Sequence, residues 1–177
     1  MAGKQNWQTP PNIFAALNAE FNFAADMAAD DENHLCPIYF TEHDDSLSFD
    51  WLKAVSIGDY VWLNCPYGKP LPWVQKASQE AAKGIGVVML LKMDTSTKWY
   101  ALCRRTAQEF RLITGGRLHF VDPITGEKGG SNEFCSILVI WHPLAKGRFQ
   151  YTETTKRDLE EWGDLILGEK ELFKCDT

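Results

Sequence analysis

Between residues 60 and 67 the chain reads Tyr-Val-Trp-Leu-Asn-Cys-Pro-Tyr, an apolar strand that stops at Asn64 and a proline-stiffened turn that carries Tyr67. A carboxamide, a main-chain carbonyl and an aromatic ring converge at that strand end. The Asn64 oxygen and the Cys65 carbonyl can each accept one hydrogen of an exocyclic amino group while Tyr67 stacks on the ring that bears it. With both hydrogens held, the nitrogen lone pair is turned toward an electrophile. A plainer description also fits, a strand ended by an Asn-x-Pro turn in which Pro66 only fixes φ. A second strand end carries Asp26-Met-Ala-Ala29, a carboxylate followed by small residues. Open α/β sheets bind ligands at carboxyl strand ends. A carboxylate there suits a cation, an amine or a ribose hydroxyl better than a phosphate, the alternative being a helix N-cap.

The elements that must position these groups follow from periodicity. Thr9-Pro10-Pro11 ahead of Ile13, Phe14, Leu17 and Phe21 supplies an N-cap, a proline at the first helical position and apolar residues at helical spacing. A helix over about residues 10–21 is expected. Short β-like runs recur at residues 23–27, 38–41, 60–63, 86–91, 110–113, 118–121 and 134–141. Helical patterns lie between some of them, at 71–82 around Trp73, Val74, Ala77 and Ala81, and at 95–105 around Trp99, Leu102 and Cys103. Alternation of strand and helix predicts a largely parallel, doubly covered sheet. The last two runs are joined by the turn-rich residues 122–130 without a helix, so they read as an antiparallel hairpin. The expected class is therefore α/β, a mixed seven-stranded sheet with helices on both faces. Residues 1–150 are expected to form the catalytic domain and residues 151–177 an acidic, helical appendage. No glycine occurs between Gly3 and Gly58. The first strand-to-helix turn therefore lacks the glycine-rich cradle that NAD or ATP needs by the usual routes.

A chain of 177 residues is one domain's worth and buries about 70% of its unfolded surface. With 45% hydrophobic and 24% charged residues, disorder and coiled coil are excluded. The net charge of −6 speaks against gripping a polyanion over the whole surface. Its distribution is uneven: residues 1–50 carry one Lys against nine Asp and Glu, residues 51–117 ten basic against four acidic residues. The densest positive run, Lys92, Lys98, Arg104, Arg105, Arg111 and Arg117, could face a phosphate backbone or could be a set of solvated faces. Cys36, Cys65, Cys103, Cys135 and Cys175 are odd in number, widely spaced and without a C-x-x-C pair. They indicate neither a disulfide framework nor a zinc site, and fit a reducing cytoplasm. The longest apolar run, residues 85–91, is too short to span a bilayer, so a soluble protein with no membrane partner and no metal is expected.

The strand-end tetrad Asn64-Cys65-Pro66-Tyr67 resembles the Asn/Asp-Pro-Pro-Tyr/Phe motif of amino-group methyltransferases. The flanking sequence narrows this to the phage-type, Dam-like DNA N6-adenine methyltransferase family. Trp7-Gln-Thr-Pro10 is similar to its W-x-T-P element, Phe21-Asn-Phe-Ala-Ala-Asp-Met-Ala-Ala29 to its F-x-F-x-x-D-x-A-A stretch, and Glu32-Asn33 to the pair that follows. Asp45-Ser-Leu47 and Trp51 match positions before the catalytic strand. Asp94-Thr-Ser-Thr-Lys-Trp99 and Gly116-Arg-Leu-His-Phe120 resemble segments beyond it. The likeness runs from about residue 7 to 141. One position departs: Cys65 stands where most members have proline. The role the family gives that position is a main-chain carbonyl, so the change removes φ restraint and no functional group.

The resemblance implies a Rossmann-like fold and S-adenosylmethionine as methyl donor. Trp7, Thr9, Pro10, Asp26 and Ala28 would hold the methionine end, with Asp45 accepting from the cofactor's adenine amino group; otherwise Asp45 is a turn acid. It implies double-stranded DNA as partner, a GATC-like target adenine flipped out and held by Asn64, Cys65 and Tyr67, and a bacterial host cytoplasm with phage or prophage coding. Lys92, Lys98, Arg104, Arg105 and Arg117 are the candidate phosphate contacts, and a monomer is expected. Residues 94–97 read either as a helix cap or as part of the target-base rim. Two rivals stay open: methyl transfer to another planar amine or amide, such as protein glutamine or cytosine N4, and a non-catalytic cofactor-binding module.

Overall fold

Period-two alternation along the strands sorts their side chains into two cores. In the computed structural model, which describes residues 7–129, 134–144 and 148–174, Val61, Leu63, Val87, Met89, Leu91, Ile137 and Val139 face one layer. There Val74 and Ala77 of α2 (Pro70–Ala81) and Trp99 and Cys103 of α3 (Lys98–Thr106) close over them. Trp62, Val88, Leu90, Leu138 and Ile140 point the other way, against Ile13, Phe14 and Leu17 of α1 (Pro11–Phe21) and Leu159 of α4 (Lys156–Lys174). A sheet covered on both faces needs central strands that are apolar throughout, and these are.

Among the described residues six strands form the sheet: β1 (Phe23–Asp26), β2 (Tyr60–Leu63), β3 (Gly86–Lys92), β4 (Glu109–Thr114), β5 (Ser136–Trp141) and β6 (Gln150–Thr155), in the order β1-β2-β3-β5-β4-β6. Only β5 runs antiparallel to its neighbours. The carboxyl ends of the other five therefore share one edge, where Asp26 and Asn64 lie.

The α/β class and the helices on both faces match expectation, and the seven strands become six. Residues 38–41 contribute one bridge, Tyr39 to Asp26, because Pro37 has no N–H to extend the ladder. Residues 118–121 do not pair with β5. Gly115 and Gly116, at φ 73° and 147°, turn the chain off the sheet after β4, and Val121 bridges Gln8 and Lys128 instead. The antiparallel partner that precedes β5 is thus β4. The segment expected as an appendage carries β6, which pairs in parallel with β4, and α4, which crosses α1. At that crossing a Cβ on Gly163 would lie 1.8 Å from the Asn12 carbonyl oxygen. Cys175 lies outside the described residues.

The amino edge of β2 and β4 is tied by a polar network. Buried Glu109 accepts from Arg111 Nε (2.9 Å), from Thr152 Oγ1 and from His142 Nε2 (3.1 Å), and His142 Nδ1 meets the Tyr60 hydroxyl at 2.7 Å. Arg111 also grips Glu20 of α1 through both terminal nitrogens. Burial alone would raise the Glu109 carboxyl, but these donors outweigh it and hold it down at about 2.

Candidate active site

Parallel pairing of β1 with β2 sets Asp26 opposite Trp62, so the residues that follow both strands stand side by side. Asp26 is 3% exposed. Among the described residues its carboxylate accepts two long bonds, from Ala28 N and Leu35 N at 3.3 Å each. Burial pushes it up to about 6, against the opposing pull of those two N–H groups and of His34. A buried carboxylate without a full countercharge is a ready acceptor for an ammonium.

Thr9, expected as the cap of α1, does something else. Pro10 occupies the N-cap without a side-chain bond, and the Thr9 hydroxyl accepts from the Asn64 amide nitrogen at 3.1 Å. That bond fixes which end of the carboxamide faces outward: Nδ2 is held, and Oδ1 is left as acceptor. Trp7, Thr9, Asp26, Ala28 and Asn64 line one narrow cleft of about 20 Å3. Of the residues expected at the methionine end, only Pro10 stands off its wall, behind it at the helix start. Gln8, from the same Trp7–Pro10 stretch, also lines it, and Asn33, Leu35 and Trp62, to which the sequence gives no role, complete the lining. Asn33 belongs to the Glu32-Asn33 pair, and Trp62 faces the opposite side of the sheet from Leu63, signals that could have found both. The Trp62 indole Nε1 is buried and donates to no atom among the described residues.

The turn after β2 divides its side chains. Cys65 is buried in the α2/α3 core beside Trp99 and Cys103, where burial raises its thiol well above the usual range, so the sulfur is inert and the backbone carries whatever this position does. Pro66 is exposed. Tyr67 is partly buried, and its hydroxyl is fully buried without a partner among the described residues. Phe120 meets the ring edge-on at 6.0 Å between centroids. The Lys92 ammonium lies 5.2 Å from the Tyr67 ring centroid and 5.2 Å from that of Phe134.

Asp45 stands apart from the cleft. It is exposed, at φ 48°, and its carbonyl accepts from Ser48, as a turn residue does. Beside it Ser46 bonds the Met27 carbonyl after β1, anchoring the loop. A second hollow of about 410 Å3 opens nearby, lined by Ile38, Phe40, Phe49 and Ala54 with Asp44 and Lys53 at its polar rim. Here Asp44, not Asp45, is in the wall. Residues 94–97 are a cap: Asp94 accepts from Ser96 N, and Thr97 Oγ1 accepts from Tyr100 N at the start of α3.

The basic residues separate by end. Lys92 ends β3, Lys98 opens α3 and Arg117 follows β4, all at the carboxyl edge. Arg104 and Arg105 sit in the last turn of α3, at the opposite edge, with the Arg104 guanidinium 3.7 Å from the Phe149 ring centroid. Arg111 is consumed by Glu20 and Glu109. No group of three or more metal-ligating side chains, and no helix long and apolar enough to cross a membrane, occurs among the described residues.

A buried carboxylate and an oriented carboxamide thus share one cleft at the carboxyl edge of an α/β sheet, and by its sequence the chain falls in the class of the methyltransferases. The chain belongs to the DNA N-6-adenine-methyltransferase (Dam) family, whose model matches residues 1–166. It is 35% identical over 166 residues to the DNA N-6-adenine-methyltransferase of Haemophilus phage HP1 (strain HP1c1), covering 92% of this chain and 93% of that one. It is 30% identical over 161 residues to the protein of that description from Escherichia phage T1, covering 82% of this chain and 66% of the phage protein. Among solved structures, a predicted O-methyltransferase of Agrobacterium tumefaciens aligns over 59% of this chain and 51% of its own at a TM-score of 0.37 and 17% identity. The protein is an adenine-specific DNA methyltransferase.

Proposed function

We propose that the methyl donor is S-adenosylmethionine and that the target adenine is flipped out of duplex DNA into the space between Asn64 and Tyr67. The observation that carries this reading is the shared wall of Asp26 and Asn64 in one cleft. The ligand has an ammonium, a carboxylate and no phosphate, and the residues present fit it. Asp26 lacks a full countercharge, Trp62 Nε1 is an unused donor for a carboxylate, and the turn has no glycine cradle. Cleft and hollow flank the end of β1, so the methionine end lies on Asp26 and the adenosine end toward Phe40 and Phe49. There the Asp44 position in the wall makes it the stronger acceptor than Asp45 for the adenine amino group. As built, the cleft is far below the ~300 Å3 of a drug-sized site, so entry requires Trp7 and Gln8 to move aside.

When bound, S-adenosylmethionine supplies a methyl group on a positively charged sulfur. Asn64 Oδ1 and the Cys65 carbonyl accept the two hydrogens of the adenine N6 amino group while Tyr67 stacks on the base. Holding both hydrogens aims the N6 lone pair and stabilises the positive charge that grows there. Extruding the base costs a few kcal/mol, recovered in part by this stacking. GATC-like sites are the proposed target, a host cell cytoplasm the proposed setting, and a monomer the proposed working unit.

Purified protein, labelled S-adenosylmethionine and unmethylated DNA, followed by digestion to nucleosides, test the reading. N6-methyldeoxyadenosine within GATC is expected. Asn64→Ala is expected to abolish transfer with donor affinity within about twofold of wild type. Label in N4-methylcytosine, or near-normal turnover by the variant, would sink it.

A further inference from the structure

Residues 120–129 fold back on themselves at the carboxyl edge. Phe120 O accepts from Gly129 N at 2.8 Å, Val121 bridges Lys128, and Asp122 N donates to Glu127 O at 2.9 Å. The turn is closed by the Asp122 carboxylate, which accepts from Ile124 N (2.8 Å) and Thr125 N (3.0 Å), and by the Asp122 carbonyl, which accepts from Gly126 N. Ile124 is held at the tip, 74% exposed, more than any other large hydrophobic residue among those described. The base of this hairpin is tied to the active site twice. Val121 and Gln8 exchange two backbone bonds at 2.9 and 3.0 Å, and Phe120 abuts Tyr67.

A turn this fully bonded, raising an isoleucine into water beside a base-modifying site, has no use in the core of the protein. We propose that residues 120–129 are the element that enters the DNA and that Ile124 is the wedge that fills the gap left by the extruded adenine. DNA as the partner follows from the family, and the wedge rests on the flipped-base reading above. Apolar side chains inserted between base steps replace lost stacking and hold a distorted duplex open. From Phe120 to the tip is four residues, about 10–13 Å at ~3.3 Å each, enough for the ~8.5 Å depth of a major groove. A preorganised tip loses little freedom on insertion. Lys128 and Arg117 flank the hairpin as exposed cations positioned for phosphates.

The test uses the whole protein and duplexes with 2-aminopurine at the target adenine, alongside methylation rates on matched duplexes and on duplexes whose target adenine faces an abasic site. Wild type is expected to raise the fluorescence. Ile124→Ala is expected to lose most of that rise and to methylate the matched duplex at least tenfold more slowly, yet the abasic duplex within about twofold of wild type. Ile124→Leu is expected to behave as wild type. A fluorescence rise and matched-duplex rate unchanged in Ile124→Ala would overturn the wedge alone, as would equal slowing on both duplexes. A wild-type enzyme that methylates without any rise removes the flipped-base reading itself.

Discussion

At the scale of single residues, the carboxamide of Asn64 has one bond that decides its usefulness. Thr9→Val removes the acceptor for Nδ2 while keeping the volume, and the amide is then free to rotate. Misplacement of a reacting group by about 1 Å costs on the order of 100-fold. Thr9→Val is therefore expected to lower single-turnover methylation by roughly that factor, with Thr9→Ser close to wild type. Asp26 carries a pH dependence. Its carboxyl titrates near 6 instead of 3.8, and only the ionised form attracts an ammonium. Donor affinity should thus rise about tenfold between pH 5 and 7, measured by calorimetry, and Asp26→Asn should flatten that profile. Stability runs the opposite way. The folded protein binds the Asp26 proton more tightly than the unfolded chain, so this group's contribution is full below about 4 and is lost as pH rises through 6. Ligand-free Asp26→Asn is accordingly expected to gain roughly 1–3 kcal/mol at pH 7. A gain in stability with a loss of binding would mark Asp26 as a site residue rather than a helix cap.

At the scale of elements, β1, β2 and β3 and helices α1 and α2 are legible in the sequence because buried parallel strands are short apolar runs and amphipathic helices repeat near 3.6 residues. β6 is not, since an edge strand reading Gln-Tyr-Thr-Glu-Thr-Thr has no apolar alternation to announce it. The candidate site is legible as residue types at strand ends, whereas Thr9 as the partner of Asn64 is a contact across 55 positions that no local pattern contains. Packing of α4 on α1 makes its own prediction. Gly163→Ala would force a methyl into the Asn12 carbonyl, costing about 2–3 kcal/mol or more and displacing the helix that begins behind Thr9. Thermal melting should fall by roughly 4–12 °C, with weaker donor binding. The Glu109 network lies at the edge of the sheet opposite Asp26 and Asn64. Glu109→Gln leaves Arg111 to Glu20 alone and weakens the bonds from His142 and Thr152, and should cost about 1–3 kcal/mol, while activity per folded molecule stays within about twofold. Because the Glu109 carboxyl is depressed to about 2 from 4.5, its contribution is present above 4.5 and disappears as pH falls toward 2.

At the scale of the whole molecule, the charge of this acidic protein is partitioned in a way that suits a polyanionic partner. Lys92, Lys98, Arg117 and Lys128 stand at the carboxyl edge, with Arg104 and Arg105 at the far one. If four phosphates are engaged, log affinity should fall with log salt at a slope near −3.6, about −0.9 per phosphate. Arg117→Ala and Lys98→Ala should each reduce that slope by about 1, and Arg104→Ala should leave it unchanged. The run of cations is visible in the sequence, and the edge each one occupies follows from its place at the end of β3, at the first or last turn of α3, or after β4. The strand order has one last consequence. β4 lies between β5 and β6, both of which come later in the chain, and α1 is roofed by α4. As the polypeptide leaves the ribosome, β4 emerges with no neighbour to pair with. The earliest helix likewise waits for the last one, so a nascent chain has every residue of the candidate site before it has a protein able to hold them.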